Sequence, residues 1–292
     1  MELELKRGGR TARVETLGGE LVSYRDERGL EYIWGGDPAY WPGRNPLLFP
    51  IVGMLKEGKI RFDGREYAME RHGFARRREF TQAARGEDWV RLELRESAET
   101  LALYPYPFRL AVEQRLTDTG FSTAVTVANP GEGPLPFCLG AHTGFRCPLE
   151  AGERFEDYEL VFPERESCPT LLLRDGLLDR PAALPCLEDT DTLPLDYRWF
   201  DALDTLIFEG LRSRSVALRS RKSGRGVRVS FDGFPMLAFW TMPGKKAPYL
   251  CIEPWHGCAA GTAEGPEFTD KAHCIVLAPG DSRTLAYRAD TL

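Results

Sequence analysis

Several large classes of protein need features that this sequence lacks. Its most apolar stretch, Pro46 to Leu55, is broken by Pro50 and Gly53, and it falls well short of the ~20 residues of a membrane span. The first residues alternate, Glu2-Leu3-Glu4-Leu5, without the unbroken apolar core of a secretory leader. The seven cysteines (138, 147, 168, 186, 251, 258 and 274) are odd in number, scattered and free of any CxxC pair. Neither a disulfide framework nor a zinc knuckle is expected from them, and reduced thiols in a cytoplasmic protein fit best. A net charge of −6 gives no general attraction for nucleic acid or anionic membrane. No repeat of 20–50 residues is visible, which argues against a propeller or solenoid. Helical periodicity is scarce: the best candidate, around Leu171 to Leu178, is interrupted by Asp175-Gly176 and soon followed by Pro181 and Pro185.

What the sequence has in quantity is alternation. Ala12 to Val14, Leu21 to Tyr24, Trp89 to Leu94, Leu110 to Leu116 and Phe121 to Val127 all switch between polar and apolar with a period near two, the pattern of strands with one buried face. Turn signals at Lys6 to Arg10, Gly18-Gly19, Asp63-Gly64 and Asp118-Thr119-Gly120 separate them at the spacing of antiparallel meanders. Ser223-Gly224-Arg225-Gly226 joins Val216 to Leu218 with Val227 to Phe231 in the clearest hairpin. Pro163 to Asp196, rich in proline, acid and leucine, reads as a long excursion from the sheets. Two packed antiparallel sheets are the simplest way to bury so many amphipathic strands, so the expectation is an all-β, large antiparallel β-sandwich formed by residues 1–292 as one domain.

A few residues stand out chemically. Tyr249-Leu-Cys-Ile-Glu253-Pro-Trp-His-Gly257 puts a carboxylate at the end of an apolar strand, where partial desolvation raises its pKa towards the range useful for proton transfer. Trp255 beside it offers a flat surface of the kind a sugar ring stacks on; the plain alternative is a strand-end glutamate facing water. Only four histidines are present, at 72, 142, 256 and 273. His72, in Arg71-His-Gly-Phe-Ala-Arg76, and His142, in Gly140-Ala-His-Thr-Gly-Phe145, each sit among small and aromatic residues that let a ligand come close. Each alone is better explained as a turn or core histidine bonded to backbone. A metal site of two histidines and one carboxylate is not expected, because the spacing is wrong and Arg71 and Arg76 would repel a cation. Asp204 precedes an apolar strand, with Asp201 a short register slip away, and Arg44 precedes Asn45-Pro46-Leu47-Leu48-Phe49-Pro50. A guanidinium there could fork onto a hydroxyl or carboxylate.

Taken in order, Tyr40-Trp41 with Arg44 to Gly53, His72 to Arg76, Gly140 to Phe145, Phe200 to Phe208 around Asp204, and Cys251 to Gly257 resemble the aldose 1-epimerase (galactose mutarotase) superfamily, and within it the LacX-like branch. The resemblance spans most of the chain. It implies a supersandwich fold and cofactor-independent interconversion of the α and β anomers of an aldose, with no metal. His142 matches the family's general acid at the ring oxygen and Glu253 its general base at the anomeric hydroxyl. His72, Asp204 and Arg44 match residues that hold the sugar. The wording around Glu253-Pro254-Trp255 differs from that of the galactose enzymes, so galactose does not follow as the substrate. Two rival readings stand beside this one: a glycoside hydrolase using Glu253 with Asp204, and a non-catalytic sugar sensor that keeps Trp41, Trp255 and the polar clamps. The arginines at 71, 76, 77 and 78 could serve a phosphorylated sugar, although alternation lets at most about half of them share one face.

Overall fold

The computed structural model describes residues 1–292. Its architecture is the antiparallel β-sandwich expected from the alternation, and the chain contains no helix long and apolar enough to cross a membrane. One 15-stranded sheet runs along a continuous ladder from Leu47–Leu48 through Leu139–Ala141, Tyr249–His256, Met236–Trp240 and Thr205–Glu209. It then crosses the long strand Tyr158–Arg174 and continues through Ser215–Ser220, Gly226–Ser230, Ser282–Thr291, Gly120–Ala128, Arg109–Leu116, Trp89–Arg95 and Thr81–Arg85. Tyr158–Arg174 carries the ladder from one layer to the other, since Leu171 pairs with Ile207 while Tyr158 to Val161 pair with Ser220 to Ala217. Between the layers lies a connected apolar cluster of 71 buried residues. Asn45 Oδ1 accepts hydrogen bonds from Thr143 Oγ1 (2.7 Å) and from the hydroxyl of Tyr287 (3.0 Å), tying the layers together beside the histidine motif at 142.

The predicted hairpin is present, with Val216 opposite Val229 and Leu218 opposite Val227. Pro163 to Asp196 corrects the expectation of an excursion away from the sheets. Tyr158–Arg174 and Leu177–Pro194 are 17- and 18-residue strands that form one long hairpin with register shifts. Its prolines sit where a ladder tolerates them, at irregular positions and towards an edge. Asp175 (φ 52) and Gly176 (φ 78) make the two-residue turn, both in the left-handed region that such a hairpin needs. What read as an interrupted helix is therefore the hairpin tip.

Gly73 shows how tightly the fold constrains the neighbourhood of His72. Its φ is 69, and a Cβ there would lie 2.2 Å from the carbonyl oxygen of Phe49. Gly73→Ala adds left-handed strain to a backbone clash and should cost roughly 2–5 kcal/mol. The check is a urea titration, in which the midpoint falls while the slope stays unchanged.

Candidate active site

Glu253 lies in mid-strand rather than at a strand end, because Tyr249–His256 continues through Pro254. Flanked by Met236–Trp240 on one side and by the strands around residues 139–146 on the other, it is a central strand. That accounts for its apolar run. Alternation sets Tyr249, Cys251, Glu253 and Trp255 on one face. Opposite Glu253 across the ladder stands Ala238, whose small side chain leaves room. Glu253 is 1% exposed, and its Oε2 has no hydrogen-bond partner. Burial pushes its carboxyl well above the usual range, Asp204 adds to this by like-charge repulsion, and the nearby indole of Trp255 partly opposes it. Trp255 Nε1 nevertheless makes no well-formed hydrogen bond, so both groups are left to receive a ligand.

The register explains how His142 reaches this carboxylate from more than a hundred residues away. Gly140 pairs with Trp255 and Thr143 with Ile252, which sets His142 directly opposite Glu253. No pairing to Tyr249–His256 forms at 141–142, across from Pro254, which has no N–H to contribute. The break frees His142 to turn into the site, where its Nε2 lies 3.3 Å from Glu253 Oε1. Its ring is packed against Trp41 (centroids 4.8 Å apart) and meets Trp240 edge-on at 5.6 Å. Burial pushes its pKa down to about 3, with the charges of Arg76 and Arg71 pressing the same way. In the dry site burial disfavours the charged form of each member of the pair.

His72 completes the group, its ring edge-on to that of His142 at 5.7 Å. It occupies a left-handed turn position (φ 67) where its backbone N–H donates to the carbonyl of Gly53, and the Gly53 N–H donates to His72 Nδ1 at 3.1 Å. With Nδ1 accepting, Nε2 carries the hydrogen of the neutral ring and is the donor left for a ligand. Burial, reinforced by His142, Arg76 and Arg71, holds the ring uncharged.

The other predicted residues divide. Asp204 follows the helix Tyr197–Leu203, which periodicity did not reveal, and takes a strained conformation (φ 62) at its end. It is close enough to act on Glu253, whereas Asp201 accepts from the Gly244 N–H at 2.7 Å and anchors a turn. Asp204 Oδ2 also accepts from the Thr205 hydroxyl at 2.9 Å. Arg44 is engaged elsewhere: its Nη1 lies 3.3 Å from Glu15 Oε1 and its Nε donates to the carbonyl of Gly35. Trp255 is only 5% exposed, which leaves little ring for stacking. The half-buried Trp41 and Trp240 around His142 are the better walls, and among the quoted motifs only the Tyr40-Trp41 pair signalled them. In the basic run, Arg77 pairs with Glu70 and Arg78 with Glu99, while Arg71 and Arg76 have no ion-pair partner. These two are the arginines whose charges reach His72 and His142. His256 and His273 lie outside the site, bonded to one another and to Glu209.

The sequence matches the aldose 1-epimerase family over residues 1–289. It is 41% identical over 295 aligned positions to the plasmid-encoded protein LacX of Lactococcus lactis subsp. lactis, with 98% of each chain covered. The fold is similar to that of a galactose mutarotase related enzyme from Lactobacillus acidophilus, with a TM-score of 0.95 at 27% identity and coverage of 100% of this chain and 97% of the other. A galactose mutarotase-like protein from Lactobacillus casei superposes with a TM-score of 0.91 at 28% identity, each chain fully covered. A family match over nearly the whole chain, with landmarks that converge on the buried His142 and Glu253, means that this chain belongs to the aldose 1-epimerase family.

Proposed function

We propose that the protein interconverts the α and β anomers of an aldose by opening and reclosing the hemiacetal ring, with His142 and Glu253 as the proton-transfer pair. The observation that carries this reading is the 3.3 Å approach of His142 Nε2 to Glu253 Oε1 in a buried pocket. Ring opening requires one proton added to the ring oxygen and one removed from the C1 hydroxyl, so a pair that holds a single proton between two basic sites is suited to the task. Sugar hydroxyls donating to Glu253 would stabilise its carboxylate, moving that proton onto His142. The imidazolium then protonates the ring oxygen while the carboxylate takes the C1 proton. Rotation about C1–C2 exposes the other carbonyl face, and reversal of both transfers closes the ring. The neutral His72 Nε2–H and Asp204 would hold sugar hydroxyls, and the Trp41 and Trp240 rings would face the apolar side of the sugar. A glycoside hydrolase is less well supported, because the group paired with Glu253 at 3.3 Å is an imidazole rather than a second carboxylate.

Anomer exchange followed by NMR with a panel of free aldoses and aldose 6-phosphates is the test. Exchange in at least one sugar, with no new reducing ends from disaccharides, supports the reading. Binding without exchange would favour a sensor.

A working pair with one proton has a consequence for pH. The second proton is taken up only well below the ordinary histidine range, since burial holds His142 near 3, and activity is lost at high pH only once the single proton leaves. The profile of kcat/KM should therefore show no inflection near 6.5, where an exposed histidine titrates. A halving of the rate between pH 7 and pH 6 would contradict this.

The unpaired Arg71 and Arg76 favour a substrate that carries an anion. For an aldose 6-phosphate, Arg76→Ala should raise KM roughly 10- to 100-fold, the worth of one charge-assisted hydrogen bond. The KM of the unphosphorylated sugar should stay within about twofold. Initial rates with the two sugars check it.

A further inference from the structure

Cys251 has no part in the proton transfers, yet it shares a buried face with Glu253 and Trp255. His142, Cys251 and Glu253 each offer one donor atom, and these atoms all lie within 4.8 Å of one another. The 3.3 Å between His142 Nε2 and Glu253 Oε1 matches the edge of a tetrahedron about an ion whose bonds are about 2.0–2.3 Å long, which sets neighbouring donors roughly 3.3–3.8 Å apart. A nitrogen, a sulfur and an oxygen from three side chains are the donor set of an open zinc site, with the fourth vertex left for water. A second observation points to a ligand as well: Glu253 Oε2, on a side chain 1% exposed, has no partner.

We propose that His142, Cys251 and Glu253 bind a thiophilic divalent cation of the zinc type, which occupies the acid and base and halts anomer exchange. Binding itself is independent of the functional reading above, and only its inhibitory effect rests on that reading. The spacing that set a metal aside in the sequence counted two histidines; the ladder register instead brings one histidine to a cysteine two residues from the carboxylate. Charge balances without further groups. As the cation enters, the Cys251 thiol proton and the proton shared by Glu253 and His142 leave to solvent, so two positive charges replace two. The net charge felt by Arg71 and Arg76 is unchanged, which removes the repulsion expected from them.

The full chain titrated with Co²⁺ under anaerobic conditions gives the test. The expected result is an intense thiolate-to-cobalt charge-transfer band with tetrahedral visible bands, saturating at one equivalent and removed by Zn²⁺. Cys251→Ser should abolish the charge-transfer band and retain metal-free anomer exchange. It should also raise the Zn²⁺ concentration for half-inhibition by at least about 100-fold. Cys251→Ala, with its fold verified by circular dichroism, repeats the comparison if the serine variant does not fold. Absence of the band in the unmodified chain, its survival in either variant, or equal zinc sensitivity with and without Cys251 would overturn the proposal. Were the protein to exchange no anomers, the cobalt band would still decide the binding claim.

Discussion

Glu253→Gln is expected to slow anomer exchange by roughly 10²–10⁴-fold while leaving the fold intact. The substitution keeps the shape of the side chain in its central strand and removes only the capacity to accept a proton. The stability change separates this outcome from unfolding. Burial raises the folded-state pKa of Glu253 above its ordinary value. Its contribution to stability is therefore fully present below the unfolded-state pKa and is lost as pH rises through the folded one. At neutral pH unfolding then releases a proton, and the ionisable carboxyl destabilises the native state. Glutamine escapes that cost. The variant should melt at the same temperature as the parent or higher, and its advantage should grow between pH 5 and pH 7. Thermal unfolding across that range checks the sign; a variant that loses both activity and stability would speak for a structural role instead.

His142→Asn should cost a similar 10²–10⁴-fold. The ring is fixed by Trp41 and Trp240 on two sides and by Glu253 in front, and asparagine fills part of that volume without relaying a proton. Because the two residues act on one proton, their losses should not add. The double variant is expected to be little slower than either single one, as found for groups that work as a unit. If the effects multiplied, the two side chains would be acting independently.

Much of this fold was legible because a sheet with one wet face writes its period into the chain, as at Arg109–Leu116 and Gly120–Ala128. Where both faces are covered the signal thins. Tyr249 to Ile252 therefore read as a complete strand, and Glu253 was set at its end instead of its middle. The hairpin at residues 158–194 was hidden by prolines and acids on its exposed positions, which mimic a loop. The helix Tyr197–Leu203 is too short to establish a period. His142 and Glu253 were both visible as unusual residues, but their contact is a matter of long-range register that no local pattern encodes. For the same reason the spacing of the cysteines does not reveal that Cys251 lies near the histidine across the ladder. Arg44 was singled out because it opens a motif, yet Glu15 and Gly35 hold its side chain. The arginines left without acidic partners, Arg71 and Arg76, could be told from Arg77 and Arg78 only once the neighbours of each were known.

The central claim is that one proton shared by His142 and Glu253 opens the sugar ring. Saturation transfer between the α and β anomeric proton signals of an aldose tests it most directly, with the parent protein and Glu253→Gln compared at equal concentration. The account predicts transfer with the parent and transfer at the uncatalysed level with the variant, while both broaden the signals of the bound sugar. Undiminished transfer with Glu253→Gln, or broadening without transfer in the parent, would contradict it.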